Sequence, residues 1–151
     1  MVITCSDTRT PETDTSGQLI RKLLEEQNHT ILAYHVVKDE PGQIQLWITR
    51  GTLDEQVQAI IINGGTGISR RDTTFEAVDE TLEKRLNGFG EIFRFLTYQE
   101  IGSSAIMSRA TAGIVKGRIV FSIPGSENAV RLAMEKLILP ELGHLIQQIN
   151  R

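Results

Sequence analysis

The chain has 151 residues, of which 40% are hydrophobic and 23% charged, and its formal net charge is -3. These proportions and this length predict one globular domain over residues 1–151. The acidic balance argues against a nucleic-acid partner. No apolar run is long enough to cross a membrane, and no signal peptide pattern opens the sequence, so we expect no membrane partner. The one cysteine, Cys5, cannot form an internal disulfide, which fits the cytoplasmic location we expect.

Apolar patterns predict strands and helices in alternation along the chain. In order, we expect a strand at 2–5, a helix capped by Asp14 or Thr15, strands at 30–37 and 57–62, helices from about 73 and at 88–101, a strand at 118–123, a helix after 126, and a terminal helix opened by Pro140. Residues 43–49 fit both a strand and a helix, and topology favours the helix because parallel neighbours need a crossover connection. The alternation predicts an α/β fold, a three-layer αβα sandwich with a mostly parallel sheet.

The strongest local motif is a glycine cluster, Gly64, Gly65, Thr66 and Gly67, directly after a buried strand. Ligands of open α/β sheets bind at the carboxyl ends of strands, and glycines there let backbone amides approach an anion closely. The spacing matches neither the P-loop nor the dinucleotide fingerprint. Taken alone, the cluster is equally compatible with a simple tight turn.

Charged and hydroxyl side chains follow the glycines. Arg70 and Arg71 favour phosphate, because a guanidinium makes charge-assisted, bidentate hydrogen bonds. Phosphate repels the neighbouring Asp72 unless a cation lies between them, and Mg²⁺ is the economical candidate. The alternative is that Asp72 caps the next helix, which Thr73 to Glu76 open with capping-box spacing, while the arginines are solvated.

A second acidic residue, Asp39, ends the preceding strand. Adjacent strands could bring Asp39 and Asp72 to one crevice, and two carboxylates facing nucleotide phosphates suit metal-assisted phosphoryl transfer. Without other observations, however, residues 39–42 are more simply a turn, since Asp, Pro and Gly favour turns.

Three further segments follow predicted elements and could contact an anion. They are Ser6 with Asp7 after the first strand, residues 108–113 beginning with Ser108, and Pro124, Gly125 and Ser126 after the last strand. Each has a plainer interpretation, respectively a polar turn, a helix end leading into a turn, and a strand stop with a helix cap.

Taken together, these segments resemble the molybdopterin adenylyltransferase family. The matching pieces lie in order over nearly the whole chain: residues 6–9, 14–17, 37–40, 64–74, 88–91, 108–110 and 124–130. The glycine loop with its Arg70-Arg71-Asp72 continuation is the specific part.

The resemblance implies a molybdopterin-binding fold that assembles as a homotrimer or hexamer and uses Mg²⁺ and ATP. The terminal phosphate of molybdopterin would attack the α-phosphorus of ATP, giving adenylyl-molybdopterin and pyrophosphate. Asp39 and Asp72 match the family's key acids, which would hold the metal. The other matching positions are Gly64, Gly65, Thr66 and Gly67, which would hold phosphate, and Ser6, Ser108, Pro124 and Gly125, which would line the pterin and phosphate pocket.

By analogy, the protein partners would be an upstream molybdopterin synthase and a downstream molybdenum insertase. Two alternatives remain open at this stage. The chain could bind or carry molybdopterin without adenylating it. It could also correspond to a related piece of larger enzymes acting on pyridine nucleotides, although its short length argues against this.

Overall fold

The computed structural model describes residues 1–151 and contains one six-stranded sheet. The strands are β1 (Val2–Cys5), β2 (Tyr34–Val37), β3 (Ala59–Gly64), β4 (Lys84–Arg85), β5 (Thr111–Val115) and β6 (Arg118–Ile123), in the spatial order β2-β1-β3-β6-β5-β4. The first four in this order run parallel, whereas β5 pairs antiparallel with both β6 and β4. The predicted mostly parallel sheet is therefore confirmed.

Helices connect the strands and cover the sheet. They are α1 (Thr15–Glu26), α2 (Pro41–Leu53), α3 (Thr74–Asp79), α4 (Asn87–Ile101), α5 (Glu127–Ala133) and α6 (Leu139–Ile149). A 3-10 segment, Gly102–Met107, follows α4, and a π-helical segment, Met134–Ile138, joins α5 to α6. None of the helices combines the length and apolar character that crossing a bilayer requires.

Two hydrophobic clusters lie on opposite faces of the sheet. Successive side chains of a strand point to opposite faces, so Ile61 packs in the cluster that contains α1, α4, α5 and α6 side chains. Its neighbours Ile60 and Ile62 pack in the cluster with side chains of α2 and α3. Burial on both faces explains why β3 is an uninterrupted apolar run. The predicted three-layer arrangement is thus confirmed.

Several element boundaries agree with the sequence expectations. The strands at 2–5 and 118–123 are observed with those bounds, and residues 43–49 are helical, as topology favoured. The strand predicted at 57–62 instead spans Ala59–Gly64, so it reaches into the glycine cluster.

Two expectations about strands were wrong or incomplete, and the one about Pro140 was confirmed. The strand predicted at 30–37 begins only at Tyr34, where pairing with β1 starts. The antiparallel strands β4 and β5 were not predicted. Pro140 lies in the first turn of the terminal helix α6, as predicted, and the π-helical segment joins that helix to α5 without a break. At this junction the Leu139 N–H donates to the Met134 carbonyl, as in a π-helix, which is wider than an α-helix. Pro140 follows directly, and it has no N–H of its own to donate.

The connectivity places four loops at one edge of the sheet. The chain passes from β1 outward to β2 and then crosses to β3 on the other side of β1. Ligands of open α/β sheets bind at such a reversal, outside the carboxyl ends of the strands. Because β1, β2, β3 and β6 are parallel, the residues that follow Cys5, Val37, Gly64 and Ile123 meet at this edge.

Candidate functional site

Close backbone packing explains two of the glycines at the carboxyl edge. A Cβ on Gly64 would lie 2.5 Å from the carbonyl oxygen of Cys5, with which Gly64 is paired across the β1–β3 ladder. A Cβ on Gly125 would lie 3.1 Å from the Cα of Gly64. Gly65 has a φ of +59°, a left-handed conformation that glycine adopts without steric cost. The loops after β3 and β6 therefore touch through backbone atoms.

The glycine loop exposes some of its amides and uses another internally. The N–H groups of Gly65 and Thr66 donate no hydrogen bond within the chain. The N–H of Gly67 donates to Asp72 Oδ1 at 3.2 Å. Of these three amides, two remain available to an anion, and the third holds the loop in shape.

Asp72 closes this loop onto itself. Its Oδ2 accepts from the Ser69 amide at 3.0 Å and also from the Ser69 hydroxyl. These hydrogen bonds lower the pKa of Asp72 below its usual value, and the one from the Ser69 hydroxyl has the largest effect. They outweigh partial burial, which raises the pKa. Asp72 does not cap α3; the N-cap position is Thr73, whose side chain makes no capping hydrogen bond. The capping-box interpretation of residues 73–76 is therefore wrong, although the helix does begin at Thr74.

The Thr73 hydroxyl is instead bound to Asp39. Asp39 Oδ1 accepts from the amide of Thr73 at 3.3 Å, from its hydroxyl at 2.8 Å, and from the Thr74 hydroxyl at 3.0 Å. Its other oxygen, Oδ2, receives no hydrogen bond from the chain, although the residue is only 7% exposed. Since Thr73 follows Asp72 directly, the loops that carry the two acids are in contact.

The three arginines of the site differ in their partners. Arg71 pairs with Asp7, and this contact lowers the pKa of the Asp7 carboxyl; Asp7 Oδ1 in turn accepts from the Asp39 amide. Arg109 pairs with Glu76 and donates to the carbonyls of Gly67 and Asp72 at 3.2 and 3.1 Å, so it braces the loop. Arg70 is exposed and makes neither an ion pair nor a hydrogen bond, which leaves one guanidinium free beside the glycine loop.

Ser6 occupies a tight turn at the end of β1. Its hydroxyl oxygen accepts from the amides of Thr8 and Arg9 at 3.2 and 3.0 Å. The polar-turn interpretation thus describes the observed contacts of Ser6, and its hydroxyl hydrogen is still available as a donor.

A cavity of about 310 Å³ opens on the other side of the glycine loop. Four residues singled out in the sequence line it, namely Thr66, Ser108, Pro124 and Ser126. Its other polar lining residues are Thr97 and Glu100 of α4, Ser104 of the 3-10 segment and Asn128 of α5. The sequence did not indicate Thr97 or Glu100, because α4 was interpreted only through its apolar residues, whereas Asn128 lies within the matching segment 124–130.

Apart from Ser6, the predicted site residues therefore fall into two adjoining groups. Asp39, Asp72 and the glycine loop form one, and Ser108 and Pro124 line the cavity that forms the other. Thr66 belongs to both, while Gly125 packs on Gly64 beneath them.

The oxygen atoms of this site can be compared with the ligands that a divalent cation requires. The chain brings together no group of three or more His, Cys, Asp or Glu side chains that could hold a metal unaided. Mg²⁺ needs no such group, since it is usually held by one or two carboxylates together with substrate phosphates and water. The unpartnered Asp39 Oδ2 is an oxygen of this kind, so the residues fit Mg²⁺ bound jointly with a phosphate ligand.

Comparison with known proteins agrees with this architecture. Residues 1–144 match the family described as "Probable molybdopterin binding domain". Molybdenum cofactor biosynthesis protein B of Bacillus subtilis (strain 168) is 56% identical over 151 residues, covering 99% of this chain and 89% of that protein.

Solved structures match equally well. A crystal structure of a molybdenum cofactor biosynthesis protein B has a TM-score of 0.96 at 52% identity, covering 99% of this chain and 94% of the other. The tungsten cofactor synthesizing protein MoaB from Pyrococcus furiosus has a TM-score of 0.86 at 35% identity, with coverages of 99% and 95%. The family predicted from the sequence is confirmed: this chain belongs to the molybdopterin-binding-domain family of molybdenum cofactor biosynthesis proteins.

Proposed function

We propose that the protein transfers adenylate from ATP to the terminal phosphate of molybdopterin. A phosphate oxygen of molybdopterin attacks the α-phosphorus of ATP, the bond from that phosphorus to the bridging oxygen breaks, and pyrophosphate leaves. The observation that carries the proposal is the junction at the carboxyl edge, where free amides, a free guanidinium and two acids adjoin a cavity.

The glycine loop supplies the phosphate contacts in this proposal. The amides of Gly65 and Thr66 would donate to phosphate oxygens, and the unpaired Arg70 would neutralise part of their charge. Nucleotidyl transfer depends mainly on positioning and charge stabilisation, so it requires no nucleophilic side chain of the protein. The bracing of the loop by Asp72 and Arg109 would keep these donors in place before the substrates bind.

Asp39 and Asp72 would hold Mg²⁺ together with the nucleotide phosphates. The bound ion would supply Lewis-acid stabilisation of the phosphate charge. Asp39 suits this role better on its observed contacts, because its Oδ2 is unpartnered whereas both oxygens of Asp72 accept hydrogen bonds within the loop.

The 310 Å³ cavity would receive the pterin end of molybdopterin. Ligand pockets usually measure roughly 300–1,000 Å³, so this volume suits a small heterocycle. Apolar side chains such as Ile101 and Leu132 offer contacts for a flat ring, while Ser108 and Asn128 offer hydrogen bonds for its polar edge.

Pyrophosphate release by the purified protein with molybdopterin, ATP and Mg²⁺ tests the proposal. We expect release by the parent protein and loss of release in both Asp39→Asn and Asp72→Asn. The exposed Glu25→Gln, on α1, controls for removal of one carboxylate charge elsewhere. Full turnover by both site variants would overturn the assignment of these acids.

A second candidate function is binding of molybdopterin without chemistry. The observation that favours it is that both carboxylate oxygens of Asp72 already accept hydrogen bonds, from Gly67 and Ser69, which gives this residue a structural role. A folded parent protein that binds molybdopterin but releases no pyrophosphate, with ATP and Mg²⁺ present, would support this carrier function instead.

We also propose that the protein assembles into trimers or hexamers. Four α4 side chains at three-residue spacing form an apolar stripe on its surface: Ile92, Phe95, Tyr98 and Ile101, each at least 50% exposed. Exposed apolar patches of this kind mark interaction sites. Light scattering should show an oligomer for the parent protein and a smaller species for Phe95→Glu; a monomeric parent would contradict the proposal.

Molybdopterin synthase and molybdenum insertase remain the proposed neighbours in the pathway, since one would supply molybdopterin and the other would consume its adenylate. The cytoplasmic location predicted from the sequence stays a prediction.

A further inference from the structure

We propose that Arg9 and Ser16 are positioning residues that orient the peptide joining Gly125 to Ser126 for phosphate binding. This inference rests on the proposed function, in which the glycine loop binds phosphate and the cavity receives molybdopterin. Gly125 packs on Gly64 of that loop, and Ser126 lines the cavity. Neither side chain needs to touch a substrate, because both act on the carbonyl of Gly125.

That carbonyl accepts two side-chain hydrogen bonds. Ser16 Oγ donates to Gly125 O at 2.6 Å, and the serine is completely buried at the start of α1. Arg9 Nη1 donates to the same oxygen at 3.2 Å from the loop after β1. Two donors from separate segments fix the direction of the carbonyl more firmly than one would.

Fixing the carbonyl also fixes the amide at the other end of the peptide. The peptide unit is planar and trans, so the N–H of Ser126 points opposite to the Gly125 carbonyl and away from Arg9 and Ser16. This N–H donates to no group of the chain. Ser126 also lines the 310 Å³ cavity. The peptide is thus anchored on its carbonyl side and has a free donor on the other.

The anchor is itself supported by a buried acid. Asp14 is fully buried, accepts from the Gly17 amide at 3.0 Å and from the Tyr34 hydroxyl, and lies 3.7 Å from Arg9 Nη1. A buried carboxylate with these partners keeps both the guanidinium and the first turn of α1 in position. Residues 9–17 therefore connect β1 to the loop after β6.

Steady-state kinetics separate positioning from a general structural effect. Ser16→Ala and Arg9→Met should each raise the KM for molybdopterin about tenfold, as expected when one hydrogen bond to the peptide is lost, with the KM for ATP changed less than about twofold. Arg9→Lys, which keeps a cationic donor, should recover most of the loss. Thr15→Ala, which removes an exposed hydroxyl from the adjacent residue, should match the parent.

Amide NMR provides a readout that needs no turnover. Titration with inorganic phosphate should shift the Ser126 N–H resonance in the parent and in Thr15→Ala, and the shift should be lost in Ser16→Ala and Arg9→Met while their other amide signals stay dispersed. An unchanged Ser126 response in both variants would overturn the inference. If this response depends on Ser16 but the parent releases no pyrophosphate, the positioning role stands and adenylate transfer fails.

Discussion

Replacing Asp39 separates its structural role from its proposed chemical role. All three hydrogen bonds to its side chain end on Oδ1, and none ends on Oδ2. Asparagine can keep an oxygen at the Oδ1 position and place its amide at Oδ2. Asp39→Asn should therefore preserve the contacts to Thr73 and Thr74 while removing the negative charge. Alanine removes both the contacts and the charge.

The two variants should differ in stability by a measurable amount. Alanine leaves the Thr73 amide and the Thr74 hydroxyl without an acceptor, and about 1–3 kcal/mol for each unsatisfied group gives a loss of about 2–6 kcal/mol. Asparagine only weakens the hydrogen bonds by removing charge assistance, for a loss of about 1 kcal/mol. At about 2–4 °C per kcal/mol for a protein of this size, Tm should fall by roughly 3 °C for asparagine and roughly 12 °C for alanine.

Activity should follow a different order. Both variants should lose pyrophosphate release by on the order of 100-fold or more, because each removes the charge at Oδ2. Thermal unfolding followed by circular dichroism, beside the release assay, measures both effects on the same samples. Equal destabilisation by asparagine and alanine would refute the separation of the two oxygens. Parent-like turnover in a folded Asp39→Asn would refute the metal-binding role.

Three more predictions concern packing and pH. Gly64→Ala should lower the free energy of unfolding, measured by chemical denaturation, by about 3 kcal/mol or more, because the added Cβ would meet the Cys5 backbone. Gly42→Ala, which has open space around it in α2, should raise that free energy by about 0.5–1 kcal/mol. Equal effects of the two substitutions would contradict the packing. Burial lowers the pKa of His35, so the stabilising contribution of the neutral imidazole is lost as the pH falls. Because the His35 ring stacks on Trp47 with the ring centroids 3.8 Å apart, tryptophan fluorescence should titrate below pH 6.5 in the parent but not in His35→Gln. The pKa of Asp72 is also lowered, so its contribution is present above about pH 4 and lost in more acidic solution; urea unfolding should show a smaller loss between pH 5 and 2 in Asp72→Asn.

The parallel part of the sheet was predictable because its strands carry a strong apolar signal. Residues buried on both faces give uninterrupted runs, as in β3 and β6, and the turns that follow contain glycine or proline. The antiparallel strands carry no such signal. β4 has only Lys84 and Arg85, both exposed, and β5 contains Gly113, whose Cβ would lie 2.3 Å from the Lys84 carbonyl. Only the paired structure explains a glycine at that position.

For the site, the sequence indicated the correct sheet edge but not the partners within it. The position of Asp39 after a strand predicted its approach to the Asp72 loop. Nothing in the spacing showed that Thr73 would bond Asp39 rather than cap α3, or that Arg109 would brace the loop while Arg70 stayed free. These partners depend on contacts between residues far apart in sequence, which a local pattern does not contain.

The position of β3 at the centre of the sheet constrains how the protein can form during synthesis. Ile61 pairs with Val2 on one side and with Phe121 on the other. While the ribosome is still adding the residues between them, one edge of β3 has no partner and its apolar side chains lack part of their cover. Pairings this distant in sequence also form slowly. The nascent chain therefore carries an exposed, aggregation-prone strand edge until β6 emerges, and the crevice is completed only then.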